Sequence, residues 1–528
     1  MRVLIWWSLA TLVTVAQPGC TTPFHTATDA HAKGEFDKAL ERAEDLVPTP
    51  TKDGKLTIDA RYDRDRLWVG LEKAKILSDA GKMDEAVDLF DHVRREAEFL
   101  RHIESAYANN PVDPANWDFE QLMADLSQTV VGADQTVFLL QPHEEILCNT
   151  YAALDCLLQG PDSADSKAAG TFAYEARRLQ QFALEDLKAA GYEVKEPPAS
   201  RMDGTIISEL PDGQSSNFSV TQIFTLGDFS GAKEEMKSVI SSARAVGAAN
   251  PVVAFSSVVQ WATFMQSSKA IDAGGAAKQV AEDCGAAELA AEMKRLASAP
   301  SDYPFVLFLV DAGRGPVRRS FNVRLPIVIP NVCAADFRAV YPALKFRTED
   351  RPRDIRVGTP GDMRPAAALD SIDAIVARDF RRREAELWWM PTIRAGMRTA
   401  ASLAIQIQQS KEKDKTISVV AAFASVVVAE AEQPDLRAWT TLPATQHAAL
   451  IKRPANGKVH VELASPGASS AMDVDVPEGS SIIYIRALTP TLRYSRVAPL
   501  FAGDNQPAKP QVNSASAPVA PTVANGGM

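Results

Sequence analysis

The chain has no Cys-x-x-Cys pair and no Cys/His cluster at zinc-ligand spacing, so nothing in it argues for a metal site. Its five cysteines are Cys20, Cys148, Cys156, Cys284 and Cys333. On a shared helix, Cys148 and Cys156 would stand about 12 Å apart along the axis, beyond the roughly 7 Å a disulfide spans, and they are not expected to pair. Gly-Lys-Ser/Thr is missing too. The nearest approach to a phosphate cradle, Gly313-Arg314-Gly315-Pro316-Val317-Arg318-Arg319-Ser320, loses a backbone donor at Pro316 and reads as a hairpin turn. No cofactor is implied. Positive charge is in deficit: 56 Lys and Arg face 67 Asp and Glu, a net charge of -11, which excludes nucleic acid as the principal ligand. Long apolar runs are scarce, and the nearly apolar stretch from Ile417 to Val428 falls short of the roughly 20 residues of a membrane span, so a buried helix is expected there.

What the chain does have is an ordinary folded composition, 46% hydrophobic and 23% charged, over 528 residues, too many for one core; two to four domains are expected. The start is separate in character. Met1-Arg2 is basic, Val3 to Ala16 is almost uninterruptedly apolar, and Gln17-Pro18-Gly19-Cys20 follows, which reads as an export signal over residues 1–20. A cysteine directly after a small residue at the end of the apolar core resembles a bacterial lipobox, with Gln17 where that motif usually has Leu. The resemblance implies lipidation of Cys20; signal cleavage near the same point without lipid is the alternative. Thr21 stands where Asp would often mark inner-membrane retention, so the expected address is the outer membrane, facing the periplasm.

GEFDKA at Gly34 to Ala39 recurs as GKMDEA at Gly81 to Ala86 and as GDFSGA at Gly227 to Ala232. Around the second copy, Leu67, Leu71, Ala74 and Leu77 recur at helical spacing before Gly81, and Met83, Ala86, Val87, Phe90 and Val93 do so after it. That pattern is a helix, a glycine turn and a second helix, with an alanine small enough for close antiparallel packing and Phe or Met capping the groove between them. The hairpin resembles a tetratricopeptide repeat, with Phe90 at the bulky position; a degenerate unit is expected over Thr150 to Phe182 around Gly160. Unrelated helical hairpins that share one turn chemistry are the alternative.

Helices are also expected over Pro251 to Met265 and Ala276 to Ala297. After Pro300 the period changes, and Phe305 to Val310, the turn at Gly313 to Pro316 and Val317 to Ile329 predict a buried β-hairpin. A helical stretch follows from about Asp370. From Leu450 the residues alternate, with Asn456-Gly457 predicting a hairpin turn and Pro477-Glu478-Gly479 another, which suggests a small antiparallel β-sandwich-like module. The expected organisation is therefore mainly α with added β (α+β): a signal peptide at 1–20, a tetratricopeptide-like helical-hairpin solenoid at 21–300, a hairpin and helical region at 301–449, the β module at 450–490 and a disordered Pro/Ala-rich tail at 503–528.

Leu67-Trp68-Val69-Gly70-Leu71-Glu72, the block from Glu144 through Gly160 to Glu175-Ala176-Arg177-Arg178, and Asp435-Leu436-Arg437-Ala438-Trp439-Thr440-Thr441-Leu442-Pro443 ahead of a β module ending in Ile485-Arg486 together resemble a family of functionally uncharacterised bacterial envelope lipoproteins with tetratricopeptide-like repeats. The similarity runs over most of residues 20 to 490; the C-terminal tail is an addition to the pattern. It implies an architecture and a lipid-anchored envelope address, with no catalytic residues to carry over.

Candidate binding residues are Arg177 and Arg178, unless they form ion pairs between helices, and Arg437 with Trp439, unless the Trp plugs a join and the Arg pairs across it. His143 and Cys148 are five apart and turned about 140° from each other on a helix, a poor base and nucleophile. The expected role is a non-catalytic scaffold whose repeat groove binds another envelope protein. The alternatives are a cell-wall enzyme using a carboxylate pair such as Asp311 with Glu349, and an assembly factor that binds glycan or peptidoglycan through the β module.

Overall fold

The computed structural model of the protein describes residues 22–44, 65–107, 138–163, 165–189, 253–299, 303–329, 333–347, 351–377, 379–380, 395, 399 and 436–501. Cys20, the third hexapeptide copy with Gly227 and Ala232, Glu349, most of the helical stretch expected after Asp370, and the 503–528 tail lie outside these residues.

Helices come first: α1 (Thr22–Ala32), α2 (Phe36–Glu44), α3 (Arg66–Ala80), α4 (Met83–Tyr107), α5 (Pro142–Leu158), α6 (Ser166–Ala189), α7 (Ala254–Gln266), α8 (Ala270–Cys284) and α9 (Ala287–Ser298). Each packs against the next along the chain. The two described hexapeptide copies close their helices identically. Gly34 and Gly81 sit at φ 74° and 95°, a left-handed conformation that glycine adopts without steric cost. Around them, Gly34 N–H donates to His31 O at 2.8 Å and Glu35 N–H to Ala30 O at 3.0 Å, as Gly81 N–H does to Ser78 O at 3.1 Å and Lys82 N–H to Leu77 O at 2.9 Å. Ala39, Ala86 and Phe90 are fully buried, as the spacing predicts. Gly160 makes a similar turn, φ 91°, between α5 and α6. The stretch expected as one helix from Ala276 to Ala297 is split at Gly285, whose φ of 71° caps α8.

Strands follow: β1 (Phe305–Ala312), β2 (Arg314–Ile329), β3 (Cys333–Arg347), β4 (Asp354–Thr359), β5 (Asp362–Pro365), β6 (Ala367–Ser371), β7 (Thr445–Lys452), β8 (Lys458–Ser465), β9 (Ala468–Asp475), β10 (Ser481–Ala487) and β11 (Arg493–Pro499). They form a five-stranded sheet in the order β11-β10-β1-β7-β6, a four-stranded sheet β5-β4-β8-β9 and a separate ribbon β2-β3. The protein is thus a mixed helix and sheet fold.

One face of the five-stranded sheet, with Val306, Phe308, Val310, Ala449, Ile483 and Ile485, packs on Val357, Val459, Val461 and Leu463 of the four-stranded sheet in a wholly apolar core. Each such side chain contributes roughly 1.5–3 kcal/mol by leaving water. The opposite face, with Phe305, Leu307, Leu309, Ala448, Ile482 and Ala498, joins the helices in a second core. Alternation along each strand divides the residues between the two layers.

Three expectations are corrected. β1 does not form a hairpin with β2: its partners are β10, parallel, and β7, antiparallel, while β2 pairs with β3. A strand buried at all eight positions belongs between two neighbours and two layers, which a strand carrying Arg318, Arg319 and Arg324 cannot share. The Asn456-Gly457 turn exists, with Gly457 at φ 67°, but it carries the chain from β7 in one sheet to β8 in the other. The segment from 450 to 490 is not a separate antiparallel module, since β1, β4, β5 and β6 complete both of its sheets and the β1 to β10 pairing is parallel.

Candidate functional site

The helix-facing side of the five-stranded sheet carries one row of polar residues. Cross-strand register aligns Tyr494 with Arg486, Arg486 with Asp311, Asp311 with Gln446, and Gln446 with Asp370, so each strand supplies one member. Above the middle of this row lie Lys75 and Asp79, one turn apart on α3, Tyr151 on α5 and His31 on α1.

The contacts are dense. Asp311 Oδ2 accepts from Tyr151 OH and Tyr484 OH, both at 2.7 Å, and Asp311 Oδ1 accepts from Gln446 Nε2 at 3.1 Å. Lys75 Nζ donates to Asp79 Oδ1 at 2.5 Å and to Tyr484 OH at 3.0 Å, lies 3.8 Å from Asp311 Oδ2, and sits 4.4 Å from the centre of the Tyr151 ring. Asp79 Oδ2 meets His31 Nε2 at 2.8 Å and Arg486 Nε at 3.6 Å. Arg486 also donates to the carbonyls of Gly313 at 2.7 Å and Thr441 at 3.2 Å. Asp370, at the end of the row, accepts the first backbone N–H groups of α7, from Ala254 at 2.9 Å and Phe255 at 2.7 Å, and so caps that helix.

Two cations thus face two carboxylates, and Lys75, Asp311, Gln446 and Arg486 are all 0% exposed. Burial disfavours the Asp79 carboxylate, yet Lys75, His31 and Arg486 outweigh it and hold its pKa well below the usual range. Burial lowers His31, against the pull of Asp79. Tyr151 and Tyr484 are pushed well above the ordinary phenol value, first by burial and then by Asp311. Asp155 on α5, which accepts from Ser78 Oγ at 2.8 Å, is pushed up to about 7 by burial. The arrangement orders five strands and four helices relative to one another and offers substrate no solvent-facing atom at Asp311, the carboxylate named for cell-wall hydrolysis.

The segment from Leu436 to Pro443 is a second joint. Glu72, buried on α3, accepts from Thr440 Oγ1 at 2.7 Å and Thr441 N–H at 3.0 Å, and Trp68 Nε1 donates to Ala438 O at 2.8 Å. Arg437 pairs with Asp65 at 2.8 Å, and Trp439, 3% exposed, packs its ring beside Tyr151 and Phe90. Arg437 and Trp439 are therefore corrected from binding residues to a plug: an indole surrounded by aromatic rings has no face left for a ligand.

Gly34 abuts the residue just ahead of β11, and Gly81 abuts β11 itself. A Cβ on Gly34 would stand 2.7 Å from Leu492, and one on Gly81 would strike the Arg496 guanidinium. Phe36, the third residue of the first hexapeptide, packs edge-on against Tyr494 at 4.8 Å as well as against His31. The hexapeptide spacing therefore answers to the sheet as well as to the helix pair.

The remaining candidates divide. Arg177 and Arg178 are exposed on α6; Arg178 donates through Nε to Glu175 Oε2 at 2.8 Å, lies 3.9 Å from Glu98 on α4, and stacks 5.2 Å from the Phe182 ring centre. Tyr174, Arg178 and Phe182 follow one another at four-residue spacing, and Tyr174, Phe182 and Phe99 of α4 are 53%, 46% and 57% exposed, an unusual display of aromatic surface. Beside them a cavity of about 10 Å³, room for a single water, is lined by Arg94, Glu98, Glu145, Glu175 and Arg178. Cys148, Cys156 and Cys284 are buried and unpaired, and burial pushes the Cys148 thiol far up, which disables it as a nucleophile for His143. The Gly313 and Gly315 amides are spent on the carbonyls of Ala487 and Leu442 at 2.8 and 2.7 Å, so they cradle no phosphate. Among the described residues, no group of His, Cys, Asp and Glu has metal-binding geometry, and no helix is long and apolar enough to cross a membrane.

The polar row was not foreseen. Only the isolated Asp at the end of the apolar run Phe305 to Val310 signalled it, since a carboxylate closing a doubly buried strand must have partners. Compared with family models, curated proteins and solved structures, the chain matches none of them.

Proposed function

We propose that the protein is a non-catalytic envelope scaffold, anchored by lipid on Cys20 at the periplasmic face of the outer membrane, whose tetratricopeptide-like hairpins hold another envelope protein. The observation that carries this reading is the aromatic display on α4 and α6. Tyr174 and Phe182 stand exposed one turn to either side of Arg178, with Phe99 exposed on α4, and aromatic residues with arginine are the side chains that dominate protein interfaces. The passage of each helix onto the next, through glycine turns at 34, 81 and 160, supports a stack of helical hairpins with side chains of successive helices on one surface. Burial of the Lys75, Asp79, Asp311 and Arg486 cluster favours a scaffold over a hydrolase, because its carboxylates already have their partners.

Crosslinking in the native envelope tests it. The wild-type chain should recover a small fixed set of proteins, and Tyr174→Ala with Phe182→Ala should lose that set while folding normally. Recovery of bulk lipoproteins alone, in equal amounts from both, would reject the reading. Release of peptidoglycan fragments by the purified chain, abolished by Asp311→Asn at unchanged stability, would replace it with an enzyme. Mass spectrometry of the mature N-terminus tests the anchor separately.

A further inference from the structure

The cavity between α4, α5 and α6, beside the exposed aromatic residues, is lined by a group that the fold leaves unsatisfied. Asn149 on α5 is 1% exposed. Its Nδ2 donates back to the Glu145 carbonyl at 2.9 Å, which fixes the orientation of the amide, because only the NH2 end can face a carbonyl oxygen. Oδ1 is then a buried acceptor with no hydrogen-bond partner among the described residues, on a residue that lines the cavity. Such an acceptor costs free energy unless a donor from outside reaches it.

Charge narrows what that donor is. Glu98 of α4, Glu145 of α5 and Glu175 of α6 line the same cavity with Arg94 and Arg178, three carboxylates against two guanidiniums. Both guanidiniums are engaged. Arg94 donates to Asp91 Oδ1 through Nε at 3.1 Å and Nη2 at 2.7 Å, and Arg178 donates to Glu175. An entering anion would meet an amide oxygen and an excess of carboxylate, which disfavours it. Size narrows the choice further. About 10 Å³ admits one heavy atom with its hydrogens, which suits an ammonium and excludes the planar guanidinium of another arginine. An ammonium carries three donors and accepts nothing, the complement of Asn149 Oδ1 flanked by carboxylates.

We propose that this cavity receives the ammonium group of a lysine side chain from the envelope partner, with Asn149 Oδ1 accepting one N–H and the Glu98, Glu145 and Glu175 carboxylates supplying the counter-charge. Such a contact rests on the scaffold reading, because the lysine belongs to the protein that the hairpins hold. Phe99 directly follows Glu98 in the chain and Tyr174 directly precedes Glu175, so the cavity adjoins the aromatic surface. The aromatic residues give contact area and the lysine fixes register.

Two measurements separate this contact from the scaffold reading. Saturation-transfer NMR on the purified full chain in detergent uses Nα-acetyl-lysine amide as the probe, a lysine side chain free of any partner. The wild type should transfer saturation to the ε-methylene of the probe. Nε-acetylation of the probe or Asn149→Leu should each weaken binding about tenfold or more, and Nα-acetyl-arginine amide should not bind. Glu145→Gln, which keeps the shape of its side chain, covers the case in which Asn149→Leu folds poorly, and should weaken binding several-fold. In the native envelope, a carbodiimide, which joins a carboxylate to an amine in contact with it, should link Glu98, Glu145 or Glu175 to a lysine of the captured set. No transfer to the lysine probe, or equal transfer to the arginine probe or by Glu145→Gln, would overturn the site and leave the cavity to water. Transfer to the probe, with a captured set in which no lysine joins these glutamates, would overturn the assignment to the partner. Transfer to the probe with no captured set would keep an ammonium site but reject the partner as its source, along with the scaffold reading.

Discussion

The two faces of the five-stranded sheet are built from the same strands by opposite rules. Toward the second sheet, Val306, Phe308, Val310, Ile483 and Ile485 present nothing but hydrocarbon. Toward the helices, the alternate positions end in Asp311, Tyr484 and Arg486, which meet Lys75 and Asp79. An apolar core rewards area and tolerates shifts of volume, whereas a buried ionic row must be satisfied atom by atom. The sandwich face therefore holds together through apolar area alone. The row specifies how the helices dock, a role best tested by breaking one member at a time.

Lys75→Met should be the most damaging change, because it leaves Asp79 and Asp311 buried with one cation fewer; a loss of about 3–5 kcal/mol is expected in denaturant unfolding. If the row were incidental, the loss would match that of an ordinary exposed pair. On the apolar face, Leu463→Ala should cost about 2–4 kcal/mol through the cavity it opens, and by the same amount at pH 5 and pH 8.

Glycine turns give a finer comparison. Gly81→Ala places a methyl group against Arg496 at φ 95°, while Gly160→Ala at φ 91° meets nothing within 4 Å. Both pay for the left-handed backbone, about 1–2 kcal/mol, and Gly81→Ala should lose roughly a further 1 kcal/mol where the repeat turn touches β11. Equal losses would mean that the hexapeptide serves the helix pair alone.

The row should also give stability a pH dependence. The raised pKa of Asp155, about 7, means that the folded chain holds a proton the unfolded chain has released. Its contribution is complete below about pH 3.9 and is lost as pH rises through about 7. Asp155→Asn should remove that decline, gaining about 3–4 kcal/mol relative to wild type on going from pH 4 to pH 8. His31 acts with the opposite sign: its lowered pKa supplies stability above about pH 6.5 that is lost as pH falls through the folded value. Melting temperatures of wild type and Asp155→Asn across this range measure both.

What could be read from the sequence was what depends on near neighbours. Gly34, Gly81 and Gly160 stand between amphipathic stretches, so their turns follow from local periodicity, as do buried Ala39, Ala86 and Phe90. Strand existence was legible for the same reason, from the apolar run at Phe305 and the alternation after Val459. Pairing was not. β1 meets β10 from some 175 residues further along, as Val306 opposite Ser481, and no local pattern states which distant strand a doubly buried one will choose. The polar row was invisible for that reason, since Asp311, Gln446 and Arg486 become neighbours only through registers of strands far apart in sequence. Arg437 and Trp439 looked like binding residues because aromatic and guanidinium groups suit both interfaces and interior joints; only the location of Asp65, Phe90 and Tyr151 distinguishes the two.

The smallest stability effect is expected where the largest functional one is proposed. Arg178 is 46% exposed on its side chain, and its pairs with Glu175 and Glu98 are screened by water, so Arg178→Ala should change stability by no more than about 0.5 kcal/mol. The same substitution removes the cation stacked on Phe182, at the centre of the exposed aromatic surface. Partner capture should therefore fall several-fold while the melting temperature stays within about one degree. Arg177→Ala, on the same helix but outside the Tyr174, Arg178 and Phe182 line, serves as the control and should leave capture unchanged. Loss of capture in both variants alike would reduce the effect to net charge, and loss in neither would remove this face of α6 from the interface.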